Sequence, residues 1–183
     1  MTGRSRLSAL LQQLEGQQQH SPHNNLVRRI VRLRANDACE YCLHPTFGQF
    51  HVDHIISADL WDAYTAGKIP GLPPIKGRRG PNHLGNYAWC CPFCNESKGQ
   101  HVTARVQGRV QRLFDPRHDD DIWSHHFVFM HQYLYVIGVT PLGLATERAL
   151  HLNEGKLGGP LATRHDSILN GRYPPRWARP LLV

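Results

Sequence analysis

In the stretch Phe50-His51-Val52-Asp53-His54-Ile55-Ile56, a carboxylate stands beside an imidazole inside a short apolar run. A strand built only for packing has no use for that pair. A hydrolytic site does, because it needs a hard oxygen ligand for a cation next to a group that can take a proton from water near neutral pH. Strand alternation puts His51 and Asp53 on one face and His54 on the other. His51 is therefore placed to assist a cation and poorly placed to replace His54 as a base. Further along, Asn86-Tyr87-Ala88-Trp89-Cys90-Cys91-Pro92-Phe93-Cys94-Asn95-Glu96-Ser97-Lys98-Gly99 supplies two amides, a positive charge and a Cys-x-x-Cys unit.

A second such unit, Cys39-Glu40-Tyr41-Cys42, precedes the Asp-His pair. Two Cys-x-x-Cys units at this separation can close a tetrahedral zinc site that staples both halves together. The chain has five cysteines, an odd number that does not suit a disulfide framework, and Cys90 is left over as a small packing residue. A thioredoxin-like redox role fits poorly, since that chemistry needs one such unit in a βαβ context.

Taken together, these residues resemble the HNH endonucleases, the ββα-metal nucleases. Asp53-His54 matches the first H position, Asn86 the central N, and Asn95 the last position, which is His in many members and Asn in others. The lead-in Arg34-Ala35-Asn36-Asp37-Ala38-Cys39-Glu40-Tyr41-Cys42 is also similar. So are Leu113-Phe114-Asp115-Pro116-Arg117, Trp123-Ser124-His125-His126-Phe127 and the run from Gly138 to Thr146, which resemble a C-terminal extension of one stand-alone branch. The likeness spans residues 28 to 153. It implies an α+β fold whose ββα-metal core is stapled by a four-cysteine zinc site at Cys39, Cys42, Cys91 and Cys94. It also implies hydrolysis of DNA phosphodiester bonds to 5′-phosphate and 3′-hydroxyl ends. His54 would be the general base and Asn86 would brace the loop that aims it, while Asp53 and Asn95 would hold a catalytic magnesium or manganese ion. DNA is the implied partner, with RNA left open and a homodimer as one way to cut both strands. The chain departs from the pattern between His54 and Asn86, where relatives usually carry a shorter Gly-rich loop.

Composition agrees with a polyanionic partner. There are 21 Lys and Arg against 14 Asp and Glu, a net charge of +7 and a pI of about 9.5, which attracts nucleic acid first and an anionic membrane second. No apolar run approaches the roughly 20 residues of a spanning helix, and the N-terminus is polar, so a cytoplasmic protein without membrane contact is expected.

The elements that must position these residues follow from local patterns. Residues 1–25 read as a short amphipathic helix (Leu7, Leu10, Leu11, Leu14) and a polar linker. Residues 26–110 read as the nuclease core. It opens with a helix capped by Asn24 or Asn25, buried along Leu26, Ile30 and Leu33, and carrying Arg28, Arg29, Arg32 and Arg34. Phe47 to Ile56 suits a pair of short strands around Gly48. An insertion, 58–82, holds a short helix and a basic tip of Lys76, Arg78 and Arg79. Asn95 is placed to cap a helix running to His101, with Lys98 one turn on. Lys76, Arg78, Arg79, Lys98, Arg28 and Arg32 are the expected phosphate contacts. Residues 111–183 read as an extension: two strands over 127–139 turning near His131-Gln132, a helix begun by Thr140-Pro141 and stopped at Gly155, then a Pro-rich surface tail. The competing reading is a zinc-stapled nucleic-acid-binding module with no catalysis.

Overall fold

The computed structural model describes residues 3–15, 20–46, 48–74, 78–155 and 159–181. Helix α1 (Gly3–Gln12) packs on α2 (Asn25–Arg34), and Leu10 of α1 and Leu14 of the turn after it are both buried, so the N-terminal helix is part of the core. Asn24 caps α2, its side chain accepting from the Leu26 and Val27 amides. The fully buried stripe of α2 is Val27, Ile30 and Val31; Leu26 and Leu33, which were expected on it, lie at its margins.

Strand β1 (His51–His54) pairs antiparallel with β2 (Tyr87–Cys90), with Asp53 opposite Ala88 and His54 opposite Tyr87. This corrects the expected strand pair around Gly48: β1 finds its partner across the insertion, whose helix α3 (Trp61–Thr65) folds against the core through Tyr64. Helix α4 (Pro92–Lys98) follows β2 directly. The Cys91 sulfur accepts from the Cys94 amide at its N-terminus, Pro92 takes the first turn, and Gly99 ends it at φ +46°, where an L side chain is strained. Asn95 was expected to be the cap. It sits instead one turn inside the helix, because the second knuckle supplies the cap and the proline together.

Beyond α4, β3 (Thr103–Val106) pairs with β4 (Arg109–Arg112). After the one-turn helix α5 (Trp123–His126), β5 (Phe127–Met130) pairs with β6 (Tyr135–Gly138), and Met130 stands opposite Tyr135 across the expected turn. Helix α6 (Pro141–Ala149) starts at Thr140 as expected, its hydroxyl accepting from Gly143, but it ends before Gly155. Gly143 lets its start lie against the preceding segment: a Cβ there would fall 2.1 Å from the His126 carbonyl oxygen. The expected tail contains helix α7 (Pro160–Leu169) and a 3-10 turn, Arg176–Leu181.

The described residues thus form a mixed α+β chain of small antiparallel hairpins and seven α-helices around one continuous core, running from Leu10 to Ala178. Several polar ties fasten the extension to the first knuckle. The Trp123 indole donates to the Tyr41 carbonyl (2.9 Å), the Tyr173 hydroxyl to the Cys42 carbonyl (2.9 Å), and Arg117 pairs with Glu40. Among the described residues no helix is long and apolar enough to cross a membrane.

Candidate metal centre and active site

The two knuckles converge. The sulfurs of Cys39, Cys42, Cys91 and Cys94 all lie within 4.8 Å of one another and all four residues are buried. A regular tetrahedron with Zn–S bonds of about 2.3 Å has sulfur–sulfur edges of about 3.8 Å, and the Cys42–Cys91 edge measures 3.8 Å. The donor set therefore fits a structural metal such as zinc. Burial pushes the Cys39 thiol up, but hydrogen bonds from Cys42, Cys90, Cys91 and Cys94 outweigh it and hold Cys39 well below the ordinary thiol range, while hydrogen bonds from Cys39 and Cys42 push the Cys91 and Cys94 thiols well above it. Cys90 is buried and stands outside the four-sulfur group.

At the other end of the β1–β2 pair, Asp53 is 8% exposed. Its Oδ2 accepts from the Tyr41 hydroxyl (3.3 Å) and lies 3.1 Å from the Lys98 ammonium. Its Oδ1 has no protein donor among the described residues. Burial raises the Asp53 carboxyl above its ordinary value, and the Lys98 charge only partly offsets this. Lys98 is itself 2% exposed and also donates to the His54 carbonyl (2.8 Å) and, at 3.4 Å, to that of Gly99. The expectation that Lys98 meets a phosphate is corrected: its ammonium is turned inward and ties the end of α4 to the end of β1.

The His54 ring packs edge-on against Tyr87, with centroids 5.0 Å apart. Its Nε2 lies 2.9 Å from Oδ1 of Asn82, while Nδ1 has no partner among the described residues. Asn86 is fully buried and fully bonded. Its Oδ1 accepts from the Ile56 amide (3.0 Å) and from Arg78 Nη1 (3.3 Å), and its Nδ2 donates to the carbonyls of Ile56 (2.7 Å) and Pro81 (2.9 Å). The turn that follows His54 is thereby clamped. Asn95 is part-exposed on α4; its backbone N–H donates to the Cys91 carbonyl (3.0 Å), and its side-chain amide makes no hydrogen bond among the described residues.

The expected basic contacts separate. Arg78 is corrected from a surface contact to an internal one: its side chain is 2% exposed, pairs with Asp115 (2.5 Å) and lies over Tyr64. Arg79 is exposed, and Lys76 falls outside the described residues. Arg28 donates to the Phe50 carbonyl (2.7 Å) with its guanidinium over Trp89, and the exposed Arg32 pairs with Asp37. With Arg29, these two wall an open groove of about 690 Å³ whose other side is His51, Phe50 and Trp89.

Two neighbours of His54 have no counterpart in the sequence reading. Asn82 meets its ring, and His20 meets Asn82: the His20 amide donates to the Asn82 carbonyl (2.7 Å) and the Tyr87 hydroxyl to the His20 carbonyl. The Pro81-Asn82 turn signal was visible, but only the fold shows what lies across from it. Comparison with known protein families, curated proteins and solved structures finds no match to this chain.

Proposed function

We propose that this chain is a divalent-metal-dependent endonuclease of the HNH type, hydrolysing DNA phosphodiester bonds to 5′-phosphate and 3′-hydroxyl ends. The observation that carries the reading is the division of labour at the end of β1. His54 has one ring nitrogen engaged by Asn82 and the other uncommitted, next to a buried carboxylate with one uncommitted oxygen. His54 Nδ1 takes the proton of the attacking water, a role an imidazole fills near neutral pH. Asn86 holds the Ile55-Ile56 turn so that the ring keeps its aim. Asp53 Oδ1 and the Asn95 side-chain oxygen are hard donors and would hold magnesium or manganese. When bound, such an ion supplies positive charge for the leaving 3′-oxygen. Cys39, Cys42, Cys91 and Cys94 would hold the structural zinc that fixes α4 against the strands.

The second reading, a zinc-stapled DNA-binding module, is favoured by one fact: Lys98 already gives Asp53 a cationic partner. Plasmid nicking separates the two. Wild-type protein is expected to nick supercoiled DNA with magnesium or manganese and to stop with chelator. His54→Ala should lose about 10² to 10⁴ in rate while keeping its zinc and its DNA affinity in calcium. No nicking by wild type with any divalent metal would favour the module.

A further inference from the structure

The far end of the insertion reaches into the candidate site at three successive places. Arg78 bonds the Asn86 amide and is anchored by Asp115 in the extension. The Pro81 carbonyl accepts from Asn86 Nδ2. Asn82 meets His54, and its backbone carbonyl holds the His20 amide. Sequence pattern made this segment a basic loop reaching outward for DNA. Its contacts run inward.

From this geometry we infer that Asn82 is the positioning residue of His54, and that residues 78–82 form the strap that presents it; the inference rests on the nuclease reading for its catalytic meaning. An amide oxygen can only accept, so the contact to Asn82 Oδ1 puts the imidazole proton on Nε2. Nδ1 is then left with its lone pair, as a base requires. The same bond fixes the ring's rotation, and the Tyr87 ring packs edge-on against it. The Tyr87 hydroxyl lies 3.3 Å from Asn82 Oδ1 with its proton on the His20 carbonyl, so the orientation of the amide is read from its contact with the ring. Because the His20 contact uses the Asn82 backbone, substituting the side chain leaves the strap's tie to the N-terminal segment in place.

The test reads the ring itself. In ¹⁵N-histidine-labelled, zinc-loaded protein, with His54 assigned by loss of its signals in His54→Gln, the neutral His54 ring is expected as the Nε2–H tautomer. Asn82→Ala should become a mixture of tautomers and lower kcat for plasmid nicking by roughly tenfold or more, part of the ~10² to 10⁴ a general base is worth. Its zinc content and KM should be unchanged. Asn82→Asp, which keeps an acceptor at the same place, should restore both tautomer and rate. An Nδ1–H ring in wild type overturns the inference, as does an Asn82→Ala protein with wild-type tautomer and rate. If wild type nicks no DNA, the nuclease reading fails, whereas the ring measurement still decides whether Asn82 sets the tautomer.

Discussion

At the residue scale, the ionisable groups were legible as chemistry but not as geometry. Asp53 and His54 stand out in the sequence as a carboxylate beside an imidazole, and the fold brings Asp53 to Lys98 and His54 to Asn82. Lys98 and Arg78 read as surface charges, because no local pattern tells a long cationic side chain whether its acceptors lie outside or inside. Both turn inward, and each meets an aspartate that is distant in sequence. This makes Lys98 a structural cation with a measurable cost of removal. Lys98→Met leaves the buried Asp53 without its ion pair and the His54 carbonyl without a donor, and should destabilise the fold by about 3–5 kcal/mol. Adding Asp53→Asn should recover part of the loss. Chemical denaturation of the single and double variants measures both, and additive effects would show that the pair is not coupled.

At the element scale, caps and turns read best. Asn24 before α2, Thr140-Pro141 before α6, and the β5–β6 turn all stand where the sequence places them. The elements that escaped are those held by contacts from outside themselves. β1 looked like half of a local hairpin, yet its partner lies beyond the insertion. α7 buries Arg164 and Ser167 rather than an apolar stripe, so hydrophobic periodicity had nothing to find and the prolines suggested a tail. The cysteine spacing did foretell the cluster, because metal coordination makes its demands in sequence as well as in space. Cys42→Ser should therefore lose zinc and unfold or aggregate, since such sites contribute on the order of 10 kcal/mol of apparent binding energy to folding. Cys90→Ser, outside the four-sulfur group, should keep full zinc content and fold. Metal analysis beside circular dichroism checks both.

At the scale of the whole molecule, the extension is braced within itself by charge as well as by apolar packing. Arg112 grips Asp121 with two bonds of 2.5 and 2.6 Å, and the Asp115 amide donates to the same carboxylate. Burial would raise the Asp121 carboxyl, but the Arg112 bonds outweigh it and leave it below its ordinary value of 3.8. A depressed folded-state value means stability that is present above pH 3.8 and lost as pH falls through the lower, folded-state value. Asp121→Asn should thus be less stable at neutral pH and lose less on acidification, which thermal unfolding across pH 2 to 6 reads directly. The net charge of +7 belongs to this scale too. With Lys98 and Arg78 withdrawn, the exposed Arg29 and Arg79 are better candidates for phosphate contact. Replacing both with Ala should make the slope of log affinity against log salt shallower by up to about 1.8 for duplex DNA.

Of the four sulfurs that meet in the cluster, those of Cys42 and Cys91 come from positions 49 apart, and His54, Asn82 and Asn86 all lie on the ring of chain they close. That sets an order of events during synthesis. The first knuckle leaves the ribosome with two of the four sulfurs, and the group is completed only when the second knuckle emerges. Until then the cluster does not tie the end of β2 to the first knuckle. On the proposed zinc reading, metal supply would thus determine when a newborn chain closes this ring.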